Sequence, residues 1–157
     1  MGSAPTTSSP AGALVDAAHS RFVQRIRRRY EPERPLLAPG VPDAAAMRAA
    51  VDALRARGRE LPSALRVMRQ LVLERLAVLD VEQGAPLEAV TGAMTTLAEV
   101  ALELALEQAF SECDARFGAP LDAQGRRIDF WIIGMGKAGA RELNVSSDID
   151  LIYVYED

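Results

Sequence analysis

Two acids two residues apart, Asp148 and Asp150, open the run Asp-Ile-Asp-Leu-Ile-Tyr-Val-Tyr that ends at Tyr155. The β-branched and aromatic residues that follow Asp150 predict a strand. Side chains at i and i+2 of a strand point to one face. Both carboxylates would therefore share a face, roughly 6–7 Å apart by strand geometry, with Ile149 and Leu151 directed into a core. Such a pair suits a hard cation such as Mg2+, which takes one or two carboxylates together with substrate phosphates. Two-metal phosphoryl-group chemistry is its natural use.

Upstream, Ile128-Asp-Phe-Trp-Ile-Ile133 is almost continuously apolar and predicts a core strand. It runs into Gly134-Met-Gly136-Lys137-Ala-Gly139-Ala140. These glycines fit G-x-G-x-x-G, the dinucleotide fingerprint. The next strand, however, starts only nine residues beyond Gly139, too few for a crossover helix, and its acids stand at its start and not its end. A Walker A loop fails as well, because Lys137 is followed by alanine and the glycine spacing is wrong. What remains is a loop able to bring backbone N–H groups, Ser146 or Ser147 near phosphate oxygens, with Lys137 adding positive charge. Aspartates that merely cap a strand edge are the plainer alternative. The succession of strand, glycine loop and acidic strand favours function.

The elements that must position this segment are helical. Alanine fills 27 of the 157 positions and aromatics only 5%, a balance that favours close-packed helices over a β-sandwich or barrel. Cys113 and His19 are the single cysteine and histidine, which excludes disulfide-stapled folds and sites built from several imidazoles. The spacing predicts helices over Ala13–Tyr30, over Ala44–Arg57 behind the cap Asp43, and from Pro62 to a break at Asp80–Ala85. The longest is predicted over Pro86–Phe117. Ala93, Ala101, Ala105 and Ala109 would admit a close neighbour on it, with Cys113 buried among apolar groups. A polar tail over residues 1–12 reads as disordered, and its Gly2…Thr6 pattern only loosely meets a myristoylation signal. No uncharged run reaches membrane-spanning length, so a cytoplasmic protein without membrane contact is expected.

Charge divides the chain. Residues 1–60 hold ten arginines against six acids, and residues 61–157 hold eight bases against sixteen acids. Arg25, Arg27, Arg28 and Arg29 crowd one helix end, where cations suit the dipole. With a single neighbouring tyrosine and a net charge of −4, nucleic acid is not the expected partner.

The stretch Gly134-Met-Gly-Lys-Ala-Gly-Ala-Arg-Glu-Leu-Asn-Val-Ser-Ser-Asp-Ile-Asp-Leu-Ile152 closely resembles the signature of the bifunctional glutamine synthetase adenylyltransferase/adenylyl-removing enzymes. That family lies within the polymerase-β-like nucleotidyltransferase superfamily. The likeness covers about residues 128–153 and is closer to the first, deadenylylating unit than to the second. It implies an α+β chain: a helical region over 13–118, then an incomplete nucleotidyltransferase core over 128–157, cut off after its second strand. It also implies that Gly134 and Gly136 begin a turn facing nucleotide phosphates and that Ser147 lies beside the catalytic strand; with Lys137, Gly139 and Ser146 of the same loop they form the expected nucleotide-binding set. Asp148 and Asp150 would be catalytic and hold Mg2+. ATP, ADP and phosphate are the implied small substrates, glutamine synthetase the implied protein substrate, and a PII signalling protein the implied regulator.

The chain departs from the family's usual Lys-Leu-Gly-Gly with Lys137-Ala138-Gly139-Ala140, and it carries no later strand with a third carboxylate. It is therefore expected to be an N-terminal part of such an enzyme, inactive alone. Two alternatives stand beside this: a helical interaction module with a remnant motif, and a minimal nucleotidyltransferase completed by a partner chain.

Overall fold

The computed structural model of the chain describes residues 16–156. The predicted tail, the Gly2…Thr6 pattern and positions 13–15 of the first predicted helix lie outside the described residues. The rest of that first helix is divided. A 3-10 turn at Ala17–His19 precedes α1 (Arg21–Arg29). Ser20 separates them because its backbone is extended (φ −72°, ψ 120°) and its hydroxyl accepts from the Val23 N–H, an N-cap arrangement. His19 is exposed.

The proline-rich link holds a second 3-10 turn, Arg34–Leu36. Asp43 then caps α2 (Ala44–Ala56) by accepting from the Ala46 N–H at 2.8 Å. Helix α3 (Leu61–Gln83) has Pro62 in its first turn, where the missing N–H costs nothing. It runs through Asp80 and stops at Gly84, whose φ of 59° is left-handed. The C-terminal break therefore falls later than the polar residues suggest, at the residue that can adopt that conformation. Helix α4 (Leu87–Phe117) ends before Gly118.

Helices α2, α3 and α4 enclose the core. Met47, Val51 and Leu54 meet Met68, Val72 and Leu76, with Leu97, Val100 and Leu104 completing the cluster. By length and composition α4 could cross a membrane, but in this fold its apolar stripe is part of that core. Burial on α4 stops at Leu104. Beyond it, Ala105 and Ala109 are exposed, and so is Cys113. The expected burial of Cys113 and close approach at those two alanines are thus corrected: no described element covers the face of the helix that carries them.

Strands β1 (Phe130–Gly134) and β2 (Leu151–Tyr155) pair antiparallel, with Ile132 opposite Tyr153 and Gly134 opposite Leu151. Antiparallel pairing is incompatible with the parallel crossover of a dinucleotide fold. Strand β1 is not the buried strand its run of apolar residues predicts. Phe130 packs edge-on against Phe110 of α4 at 5.7 Å between ring centroids and stacks on Tyr153. On the other face Trp131, Ile133, Ile152 and Val154 are exposed. A two-stranded sheet on one helix has only one face to bury.

Candidate functional site

The predicted acidic strand begins three residues late. Asp148, Ile149 and Asp150 precede β2, because β1 ends opposite Leu151 and the chain beyond Gly134 turns away into the one-turn helix α5 (Gly136–Gly139). One further ladder bond survives: the Met135 N–H donates to the Asp150 carbonyl at 2.9 Å. That bond ties the start of the glycine turn to the aspartate-bearing segment.

Alternation partly holds across this segment. Leu151 is half-buried, and it lines a cavity of about 480 Å3 between α4 and the sheet together with Ile149. Ile149 is nonetheless 38% exposed, so it edges a groove and does not enter the core. Asp148 and Asp150 do not line that cavity and are exposed. Neither carboxylate has a hydrogen-bond or ion-pair partner among the described side chains, so their lone pairs remain available to a cation. The chemistry of this donor set fits Mg2+, which is content with one or two carboxylates and completes its shell from phosphate and water. Among the described residues no group of three or more His, Cys, Asp or Glu gathers as a metal cage.

The glycine turn is compact for a reason visible at two positions. Gly136 has a left-handed φ of 53°, which other residues adopt at a cost. A Cβ on Gly139 would stand 2.6 Å from the Gly134 carbonyl oxygen, so only glycine lets α5 close on β1. Ala140, in contrast, sits at φ −79°, ψ −5°, where glycine has no advantage. Ala138 is half-buried against the core cluster. Lys137 is exposed and its carbonyl accepts from the Glu142 N–H at 2.8 Å.

The two serines are organised by Asn144. Its carboxamide oxygen accepts from the Ser146 N–H at 3.0 Å and from the Ser146 hydroxyl at 3.1 Å. Its own N–H donates to the Ser147 hydroxyl at 3.2 Å. This is an Asx-type turn, and Asn144 is a positioning residue whose role residue types and spacing do not reveal. Two more contacts fix the segment and have no motif to betray them. Leu143 is buried in the helical core, and its N–H donates to the hydroxyl of buried Thr95 at 3.4 Å. Arg141, with φ 60°, pairs with Glu99 of α4. The structure thus brings Gly134, Gly136, Lys137 and Gly139 into one turn beside Asp150, and groups Ser146 and Ser147 around Asn144 just ahead of Asp148.

A helical platform that presents a glycine turn and an aspartate pair from a small antiparallel sheet defines an α+β protein with a candidate phosphate-chemistry site. Its sequence matches the model of the glutamate-ammonia ligase adenylyltransferase family over residues 10–157, and the chain belongs to that family. It is 40% identical to the bifunctional glutamine synthetase adenylyltransferase/adenylyl-removing enzyme of Burkholderia pseudomallei over 96% of this chain and 17% of that protein. The proteins of the same description in Burkholderia mallei and Aromatoleum aromaticum are 45% and 38% identical, over 72% and 99% of this chain. The chain spans 13% and 17% of those two proteins, so it corresponds to less than a fifth of any of the three.

Proposed function

We propose that this chain supplies the glycine turn and two metal-holding aspartates of an adenylyl-transfer site in a longer enzyme that modifies glutamine synthetase. The observation that carries the reading is the pair of unpartnered carboxylates, Asp148 and Asp150, tied to the glycine turn through Met135 in a chain of this family. Asp148 and Asp150 would hold Mg2+. The cation supplies neutralisation of phosphate charge and an ordered approach of the reacting groups.

The chain's own residues contribute position and charge. The Gly134–Gly139 turn lets a nucleotide phosphate come close to the backbone, and exposed Lys137 offers it a compact cation. Asn144 holds Ser146 and Ser147 ahead of the aspartates. In the removing direction, an oxygen of inorganic phosphate attacks the adenylyl phosphorus. The tyrosine oxygen of glutamine synthetase leaves, and ADP is formed. In the attaching direction the tyrosine oxygen attacks the α-phosphorus of ATP, and pyrophosphate leaves. The reading carries a PII protein as regulator, a cytoplasmic setting, no membrane contact and no nucleic-acid partner.

With two carboxylates and no third beside them among the described residues, the 157-residue chain is proposed to bind the cation weakly and not to turn over by itself. Mn2+ titration followed by paramagnetic resonance tests the site. Saturable binding that disappears in the Asp148→Asn/Asp150→Asn double variant is expected. Binding that survives the double change would remove these residues from the role, and a complete absence of binding favours the helical interaction module. Incubation with adenylylated glutamine synthetase, phosphate and Mg2+ should release no ADP. ADP release that depends on both aspartates would refute inactivity alone.

A further inference from the structure

We propose that facing arginines of α1 and α3 form a binding site for a small multivalent phosphate anion, separate from Asp148 and Asp150. Arg25 and Arg29 lie one helical turn apart on α1, and Arg66 and Arg69 lie three residues apart on α3. Together with Tyr30 and Gln70 they line a cavity of about 370 Å3 that no acid lines, within the size range of small-molecule sites. None of the four takes part in an ion pair among the described residues.

The arrangement contrasts with the paired arginines around Glu74. Arg27, on the same helix, reaches Glu74 and Glu82, while Arg34 and Arg75 also approach Glu74. Those cations are neutralised, whereas the four at the α1–α3 seam confront one another without a counter-charge. Like charges one helical turn apart oppose the helix that carries them, so a bound anion relieves a repulsion already present in the fold. Two of the four are also held in place: Arg25 lies over the Phe22 ring at 5.8 Å and Arg29 over the Tyr30 ring at 5.5 Å, positions stabilised by the ring quadrupole.

Guanidinium forks match phosphate oxygens in bidentate fashion, and four of them suit a ligand with more than one phosphate. A concave pocket suits a compact ligand better than nucleic acid, whose backbone calls for an extended cationic track. Arg69 also donates to the Val145 carbonyl at 3.5 Å, which leaves one side chain between this pocket and the segment leading to Asp148.

Calorimetric titration of the 157-residue chain with inorganic pyrophosphate, in EDTA at low salt, tests the site. Citrate and a short single-stranded RNA serve as parallel arms. One saturable site is expected. Its affinity should fall about tenfold or more in both Arg25→Gln/Arg29→Gln and Arg66→Gln/Arg69→Gln, the loss of charge-assisted bidentate bonds, and stay unchanged in Asp148→Asn/Asp150→Asn. Helical circular dichroism confirms that each variant folds. The proposal is overturned by absent pyrophosphate binding, by binding that both arginine variants retain, or by loss in the aspartate variant. Citrate or RNA binding as tight as pyrophosphate also overturns it, the latter in favour of a nucleic-acid surface.

Discussion

At Gly139 the backbone itself is the packing partner. A methyl group there would overlap the Gly134 carbonyl, and neither atom belongs to a flexible side chain. Gly139→Ala should therefore destabilise the chain by about 1–3 kcal/mol, as overpacking does, read as a lower urea midpoint with an unchanged slope. Its neighbour behaves oppositely. Ala140 occupies ordinary right-handed space, so Ala140→Gly, which restores the glycine usual in the family signature, should cost about 0.5–1 kcal/mol through added freedom of the unfolded chain. A stabilising Ala140→Gly would contradict the observed backbone. The departure at this position leaves the turn intact. Asn144 shows the reverse case of a residue whose importance a motif contains without explaining. Its oxygen accepts two hydrogen bonds from Ser146, a role that only the folded turn displays.

Among the elements, the link from α4 to β1 is held by charge. Asp122 accepts from the Arg126 and Gln124 N–H groups, both at 2.8 Å, and from the Arg126 guanidinium at 2.7 Å. The Arg126 backbone N–H is the main cause that holds its carboxyl below the ordinary aspartate range, and the guanidinium adds to it despite some desolvation. A depressed carboxyl favours folding while ionised. The loop's stability is therefore fully present above the ordinary aspartate value and is lost as pH falls through the lowered one. Side-chain NMR titration should find Asp122 protonating at lower pH than an unfolded-state aspartate, and Asp122→Asn should remove this loop's acid response. Titration at the ordinary value would show that the turn does not form. The strands differ from the sequence expectation for a neighbouring reason. Periodicity marks which residues favour extension, but a strand ends where its partner ends, and β1 turns away at Gly134.

Across the whole molecule, Glu74 is the principal buried acid. It is 2% exposed and lies 2.6 Å from Arg27, with Arg34 and Arg75 within 4 Å. It binds α1 and the Arg34–Leu36 turn to α3. Glu74→Ala should lower stability by about 2–3 kcal/mol, less than the full loss for a wholly buried pair because the arginines keep some water. Chemical denaturation measures this, and a loss below about 0.5 kcal/mol, the range of ordinary surface changes, would place Glu74 among surface charges. Arg48 makes a similar long-range link from α2 to Glu103 and Glu107 of α4. The basic first third and acidic remainder of the chain thus meet across helix interfaces. The four seam arginines differ in lining one pocket together with no acid beside them.

The helices were legible because their information is local: apolar residues at helical spacing, Asp43 as a cap and Pro62 at an entry. The glycine turn was legible too, since it depends on residue types a few positions apart, and the same local spacing marked Asp148 and Asp150 as a candidate pair. Tertiary structure alone decided that Cys113 faces solvent and that β1 keeps one face exposed. It also decided that Thr95, Glu99 and Leu143 anchor the site segment. Each of these depends on which distant element lies alongside, and a contact between residues 48 positions apart leaves no period in the sequence. The amino-acid sequence determined the chemical groups and their local order. Packing determined which of those groups are free to meet a ligand.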